Sequence, residues 1–134
     1  AELIVHTGDF MKGSVLDQLE SLGPPVVAVH GNVDEPALAR RLPEATTFEV
    51  SGARVGLVHD AGPRRGRLER MRRRFPACEA VVFGHSHIAL HEAADDGFQI
   101  FNPGSPTERR RSPRHSMGTA DVVRGRLRFE LVWL

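Results

Sequence analysis

Asp9, Asn32, His59, His85 and His87 are the residues of this 134-residue chain whose types and spacing could do chemistry. Each ends or follows a short apolar run. Leu3-Ile4-Val5 leads into His6-Thr7-Gly8-Asp9, and Val26 to Val29 leads into His30-Gly31-Asn32-Val33-Asp34. Val55 to Val58 ends in His59-Asp60, and Val81 to Phe83 ends in Gly84-His85-Ser86-His87. Carboxylate, amide carbonyl and imidazole are thus delivered at the C-terminal ends of strands, where open α/β sheets collect their ligand sites. Gly8, Gly31 and Gly84 let the backbone turn tightly just before the polar residue. The set holds no thiolate, so it suits Mn, Fe, Ni or Zn in open coordination and argues against a closed, Cys-rich structural zinc site. A His-x-His pair can turn its rings toward two neighbouring ions, with Asp9 bridging them. Singly, each residue has an ordinary reading: a turn at Gly8-Asp9, a hydrogen-bonded His59, a left-handed turn at Asn32. Their order, each after a buried strand, is what points to a metal centre.

The elements that must position them are legible from periodicity. Leu3 to Val5 and Val26 to Val29 are short β-branched runs that read as buried strands. Between them Ser14 reads as the N-cap of a helix whose apolar face is Val15, Leu16, Leu19 and Leu22, stopped by Gly23-Pro24-Pro25. A short helix follows from Pro36 to Leu42, with Pro in its first turn. Thr46 to Val50 and Arg54 to His59 flank Ser51-Gly52 as a hairpin. An Arg-rich helix from about Gly66 to Phe75 leads to a strand from Ala80 to Phe83. Strands from Ile88 to Glu92 and Phe98 to Phe101 turn at Asp95-Asp96-Gly97. A last pair, Thr119 to Val123 and Arg126 to Trp133, turns at Arg124-Gly125. Alternation of strand and helix followed by hairpins predicts a layered α/β domain with a mixed sheet or two packed sheets, one domain over residues 1–134.

Composition narrows the function classes. With 18 basic and 17 acidic residues the net charge is +1, which excludes a strongly cationic nucleic-acid or membrane binder. There is no Tyr and one Trp, so a base-stacking platform is poorly supplied. The single Cys78 cannot form an internal disulfide and reads as inert, which fits a reducing compartment. No apolar run approaches the roughly 18 residues of a membrane span, and the N-terminus has no signal-peptide pattern. The chain reads as a soluble, cytoplasmic domain.

Gly8-Asp9, Gly31-Asn32-Val33-Asp34, His59, Gly84-His85-Ser86-His87 and Asn102-Pro103-Gly104-Ser105 together resemble the calcineurin-like metallophosphoesterase superfamily. Within it they are most similar to the small, single-domain prokaryotic phosphodiesterase branch, from Leu3 to about Arg109. The resemblance implies a four-layer αββα sandwich and a dinuclear metal centre, commonly manganese, between the strand ends. By that resemblance Asp9 bridges both metals, Asn32, His59 and His85 complete one site, and His87 belongs to the other. It implies a phosphodiesterase that hydrolyses a small phosphoester with hydroxide generated between two cations.

Three departures matter. The family's first strand ends in Asp-x-His, and nothing here matches it, because Leu3 to Val5 aligns with the second strand. The expectation is that a βα unit of about thirty residues is missing ahead of Ala1, since losing a central strand would expose unpaired edges. Val33 stands where many superfamily members carry a His able to protonate a leaving group, and Asp60 stands where Gly is usual. The first two departures favour a rival reading, a catalytically weak or inactive scaffold that acts by protein contact, similar to the metallophosphoesterase-like subunit of retromer. Among the other polar residues, Asn102 to Ser105 reads equally as an ordinary turn or as support for the His87 loop. Arg109, Arg110, Arg111 and Arg114 could grip a phosphate, although a solvated loop is the commoner meaning of such a run. The seven Arg between residues 64 and 74 read as a solvated outer face rather than a nucleic-acid surface. His6, His30, His91 and His115 read as structural or surface residues. No membrane partner is expected, and a homo-oligomer is left open.

Overall fold

Strand alternation sets the architecture, because one sheet here has apolar side chains on both faces. The computed structural model describes residues 2–8, 13–31, 36–106 and 114–134. The elements run β1 (Ile4–His6), α1 (Gly13–Glu20), β2 (Val26–Ala28), α2 (Pro36–Arg41), β3 (Ala45–Val50), β4 (Ala53–Val58) and α3 (Arg67–Arg74). They continue as β5 (Ala80–Phe83), β6 (Leu90–Ala93), β7 (Gln99–Asn102), β8 (Ser116–Val123) and β9 (Arg126–Trp133). Strands β3-β4-β5-β7-β6 form a mixed sheet, β1 pairs with β2 in parallel, and β8 pairs with β9 as a hairpin.

Val55, Leu57, Ala80, Val82 and Phe101 lie on one face of the mixed sheet and pack with Val29 after β2 and with Leu127 and Phe129 of β9. Val5 and Val27 join them from β1 and β2. The intervening residues, Val58, Val81, Phe83 and Ile100, face the other way and meet Met71 and Phe75 at α3. Leu16 of α1 covers the far side of β2 at Ala28. The layers are therefore α1, the two small sheets, the mixed sheet and α3: an αββα sandwich, as the family resemblance implied. Burying both faces of β4 and β5 requires the near-continuous apolar runs those strands carry.

Register places the strand ends. Val58 pairs with Phe83 and Val82 with Phe101 in parallel ladders, so β4, β5 and β7 finish almost level. The β3–β4 and β8–β9 hairpins turn on two residues each, Ser51-Gly52 and Arg124-Gly125, all at positive φ. That geometry matches the right-handed strand twist, which is why the two turns were legible.

Some expectations shift. Helix α1 begins at Gly13, so Ser14 lies inside its first turn rather than capping it. Leu16 is buried, but Leu22 lies beyond the helix end and is 66% exposed, so it is not part of the apolar face. Strand β6 starts at Leu90, with Ile88 exposed, because the loop after β5 extends to Ala89. Strand β8 starts at Ser116, three residues before the expected Thr119, tied by Ser116 N–H to the Ser105 carbonyl at 2.9 Å. No helix among the described residues is long and apolar enough to cross a membrane.

Candidate metal centre

The level strand ends bring His59 and Gly84 side by side, and the Gly84 N–H donates to the His59 carbonyl at 2.9 Å. His59 continues the β4 alternation, so its ring enters the space between the two sheet layers, where it is 4% exposed. There its Nδ1 lies 2.7 Å from the Thr7 carbonyl at the end of β1. A carbonyl only accepts, so Nδ1 carries the proton and Nε2 keeps its lone pair. Nε2 lies 3.3 Å from Nδ1 of His85, the two rings meeting edge to face at 5.2 Å.

That separation tests whether a metal fits. Two imidazole nitrogens bound at about 2.0–2.1 Å to one tetrahedral ion lie about 3.3–3.4 Å apart. The observed 3.3 Å matches, and the Thr7 carbonyl behind His59 is the outer hydrogen bond that fixes a ligating tautomer. Two imidazoles are fewer than the three protein ligands of a catalytic zinc site, and among the described residues no three His, Cys, Asp or Glu gather as a set. The other expected donors, Asp9 and Asn32, lie outside the described residues. The residues just before them do converge: a Cβ on Gly8 would stand 2.8 Å from His59 Nδ1 and 2.9 Å from the Gly31 nitrogen.

His85 and His87 share the loop after β5, both in the left-handed region at φ 71° and 60°. Such backbone costs on the order of 1 kcal/mol or more per residue and persists only where its surroundings over-determine it. Asn102, fully buried at the end of β7, supplies that constraint. Its amide nitrogen donates to the Gly84 carbonyl at 3.2 Å and to Ser86 Oγ at 3.3 Å, while its Oδ1 accepts from Gly104 N–H at 2.9 Å. Of the two readings of Asn102 to Ser105, the structure selects loop support. Asn102→Ala is expected to cost about 1–3 kcal/mol through the groups it leaves unpaired. Urea unfolding checks it as a lower midpoint at unchanged slope.

A cleft of about 260 Å³ opens at these strand ends, lined by His30, Gly31, Glu44, Val58, His59 and Asp60. His30 and Glu44 were not singled out as site residues in the sequence. Glu44 immediately precedes β3, and the antiparallel register that pairs Ala45 with Val58 sets it beside His59, with His30 N–H tied to the Pro43 carbonyl at 3.0 Å. Asp60 receives the Gly62 N–H at 2.8 Å and lies 4.0 Å from His85 Nε2.

The Arg-rich helix is more than a solvated face. Arg70 donates to the carbonyls of Ala61, Pro63 and Arg65, and Arg67 donates to Gly62 while lying over the Phe83 ring at 4.9 Å. Burial lowers the Arg67 pKa, opposed by Glu92. These two side chains shape the loop that carries Asp60. Arg74 pairs with Glu44 and Arg72 with Asp96, whose carboxyl is held down to about 2 by that guanidinium. Arg114 lies over Trp133 at 5.9 Å, while Arg109, Arg110 and Arg111 fall outside the described residues. His6 accepts Gly8 N–H at 3.1 Å, and the exposed His91 meets Gln99 at 2.7 Å, in keeping with structural or surface roles. Partial burial pushes the Cys78 thiol pKa up, consistent with an inert residue.

The sequence profile of the calcineurin-like phosphoesterase superfamily domain matches residues 1–125. A probable metallophosphoesterase of Methanothermobacter thermautotrophicus is 34% identical over 108 residues, covering 79% of this chain and 61% of that protein. The probable metallophosphoesterase MJ0623 of Methanocaldococcus jannaschii is 33% identical over 109 residues, covering 79% of this chain and 54% of its own. The chain thus spans little more than half the length of these relatives. The crystal structure of Entamoeba histolytica Vps29 complexed with Zn²⁺ superposes with a TM-score of 0.76 over 98% of this chain and 82% of that one, at 23% identity. That likeness shows the fold.

Proposed function

Because this chain belongs to the calcineurin-like phosphoesterase superfamily, we propose that it is a metal-dependent phosphodiesterase acting on a small phosphoester. The observation that carries the reading is the 3.3 Å approach of His59 Nε2 and His85 Nδ1, with the Thr7 carbonyl holding the proton on the far side of His59. Asp9, Asn32, His59 and His85 would hold one divalent ion, and Asp9 and His87 would contribute to a second. Manganese is the leading candidate, with iron, nickel and zinc as alternatives; the Zn²⁺ of the Vps29 structure fits that donor chemistry. When bound, two such ions supply Lewis acidity at the phosphoryl oxygens and a lowered pKa for the attacking water.

The protein's own part is positional. Thr7 fixes the His59 tautomer, and Asn102 fixes the loop that presents His85 and His87. Val33, next to Asn32, cannot donate a proton to a departing oxygen, and losing such an acid typically costs about 10²–10⁴-fold. Esters whose leaving groups need no protonation are therefore the better substrates. A single unpaired Cys78 agrees with a reducing, cytoplasmic setting.

Turnover of bis(p-nitrophenyl) phosphate by the metal-stripped protein tests this directly. Activity is expected on adding Mn²⁺ and is expected to vanish again with a chelator in excess. Binding of Mn²⁺ without turnover would instead support the scaffold reading, which Val33 favours.

A further inference from the structure

His85 has two ring nitrogens, and the proposed metal centre uses one. Nδ1 faces His59 Nε2 at 3.3 Å, so for both to present lone pairs to one ion the proton of His85 must sit on Nε2. The carboxylate of Asp60 faces it, with Oδ2 4.0 Å from Nε2, about 1 Å longer than a direct hydrogen bond.

The carboxylate is already aimed. Its other oxygen, Oδ1, accepts the Gly62 N–H at 2.8 Å, a bond that holds the side chain back against its own loop. The nearby Arg67 feels the charge of Asp60 but spends its Nε and Nη2 donors on the Gly62 carbonyl and lies over Phe83. Asp60 thus has one oxygen committed to the loop and one directed to His85.

We propose that Asp60 is a positioning residue for His85: its Oδ2 accepts the Nε2–H of that ring and keeps Nδ1 turned toward the metal centre. Carboxylate–histidine–metal arrangements of this kind fix the ring's orientation and raise its basicity, and losing the outer carboxylate typically costs about 10–100-fold in metal affinity. The proposal rests on the metal-centre reading above, and Asp60 is not itself one of the proposed ligands.

An amide in place of the carboxylate separates this role from loop shape. Asn has one oxygen for two donors; kept on the Gly62 N–H as in the native loop, it leaves only the amide nitrogen to face His85 Nε2. The loop bond alone supports the Asx geometry that Asn makes well. Mn²⁺ binding to the metal-stripped full chain, measured by calorimetry, is expected to weaken about 10–100-fold in Asp60→Asn and as much in Asp60→Ala. In the Zn²⁺-loaded protein, ¹⁵N imidazole spectra are expected to show His85 as the Nε2–H tautomer in the wild type and a broadened or mixed signal in Asp60→Asn. Wild-type affinity and an unchanged His85 spectrum in Asp60→Asn, with a loss only in Asp60→Ala, would mean that Asp60 shapes the loop alone, and would overturn the proposal. Failure of the wild type to bind Mn²⁺ would remove the metal-centre reading and this inference with it.

Discussion

The Asp9→Asn protein is expected to show no Mn²⁺-dependent hydrolysis of bis(p-nitrophenyl) phosphate above background, a loss of about 10³-fold or more. Asp9 is the proposed donor shared by both ions, and an amide there removes the negative charge that offsets their mutual repulsion. Losing ion stabilisation worth several kcal/mol corresponds to about tenfold in rate for each 1.4 kcal/mol. Asn is nearly isosteric, so metal-free unfolding is expected to be little changed, which separates a lost site from a lost fold. Asp17→Asn is the matched control: its carboxylate is exposed on α1 and pairs with Arg41 of α2 at 3.0 Å. A rate close to wild type in Asp9→Asn would end the enzyme reading, whatever metal the protein binds.

Gly8→Ala is expected to destabilise the fold by roughly 3–5 kcal/mol, combining left-handed backbone strain with overpacking. Gly8 has φ +104°, and an added Cβ would lie 2.8 Å from His59 Nδ1 and 2.9 Å from the Gly31 nitrogen. Neither neighbour can yield cheaply, since one is backbone and the other is a buried ring already bonded to Thr7. Gly23→Ala isolates the strain, because Gly23 has φ +111° with nothing within 4 Å of its added Cβ. That variant is expected to lose only about 1–3 kcal/mol. Urea unfolding of the pair gives the difference, and equal losses would contradict the close approach of the β1, β2 and β4 ends.

The helix from Arg67 to Arg74 shows why a charge run is a poor guide to its own meaning. In sequence it is a row of cations, interrupted by Leu68 and Met71 and followed by Phe75, which pack on the core. What Arg67 and Arg70 do depends on the carbonyls of residues 61–65, which a non-regular loop leaves without ladder partners. Long donor-rich side chains from the next helix satisfy them, as the part-buried carbonyls of Ala61 and Gly62 require. Nothing in local composition announces that pairing.

The same division runs through the candidate site. The amino-acid order was enough for the layered α/β class, for the strands β5 and β9 to the residue, for both two-residue turns, and for the choice of His59, His85 and His87 as strand-end imidazoles. Those features are local: apolar alternation, Gly at turns and the residue type that follows a strand are written in neighbouring positions. Tertiary structure alone decided that the Thr7 carbonyl sets the tautomer of His59, that Asn102 clamps the His85 loop, and that Asp60 faces His85 Nε2. Each of these joins residues on different strands, and a hydrogen bond depends on separations of tenths of an ångström, which the parallel register of β4, β5 and β7 sets and no single segment encodes.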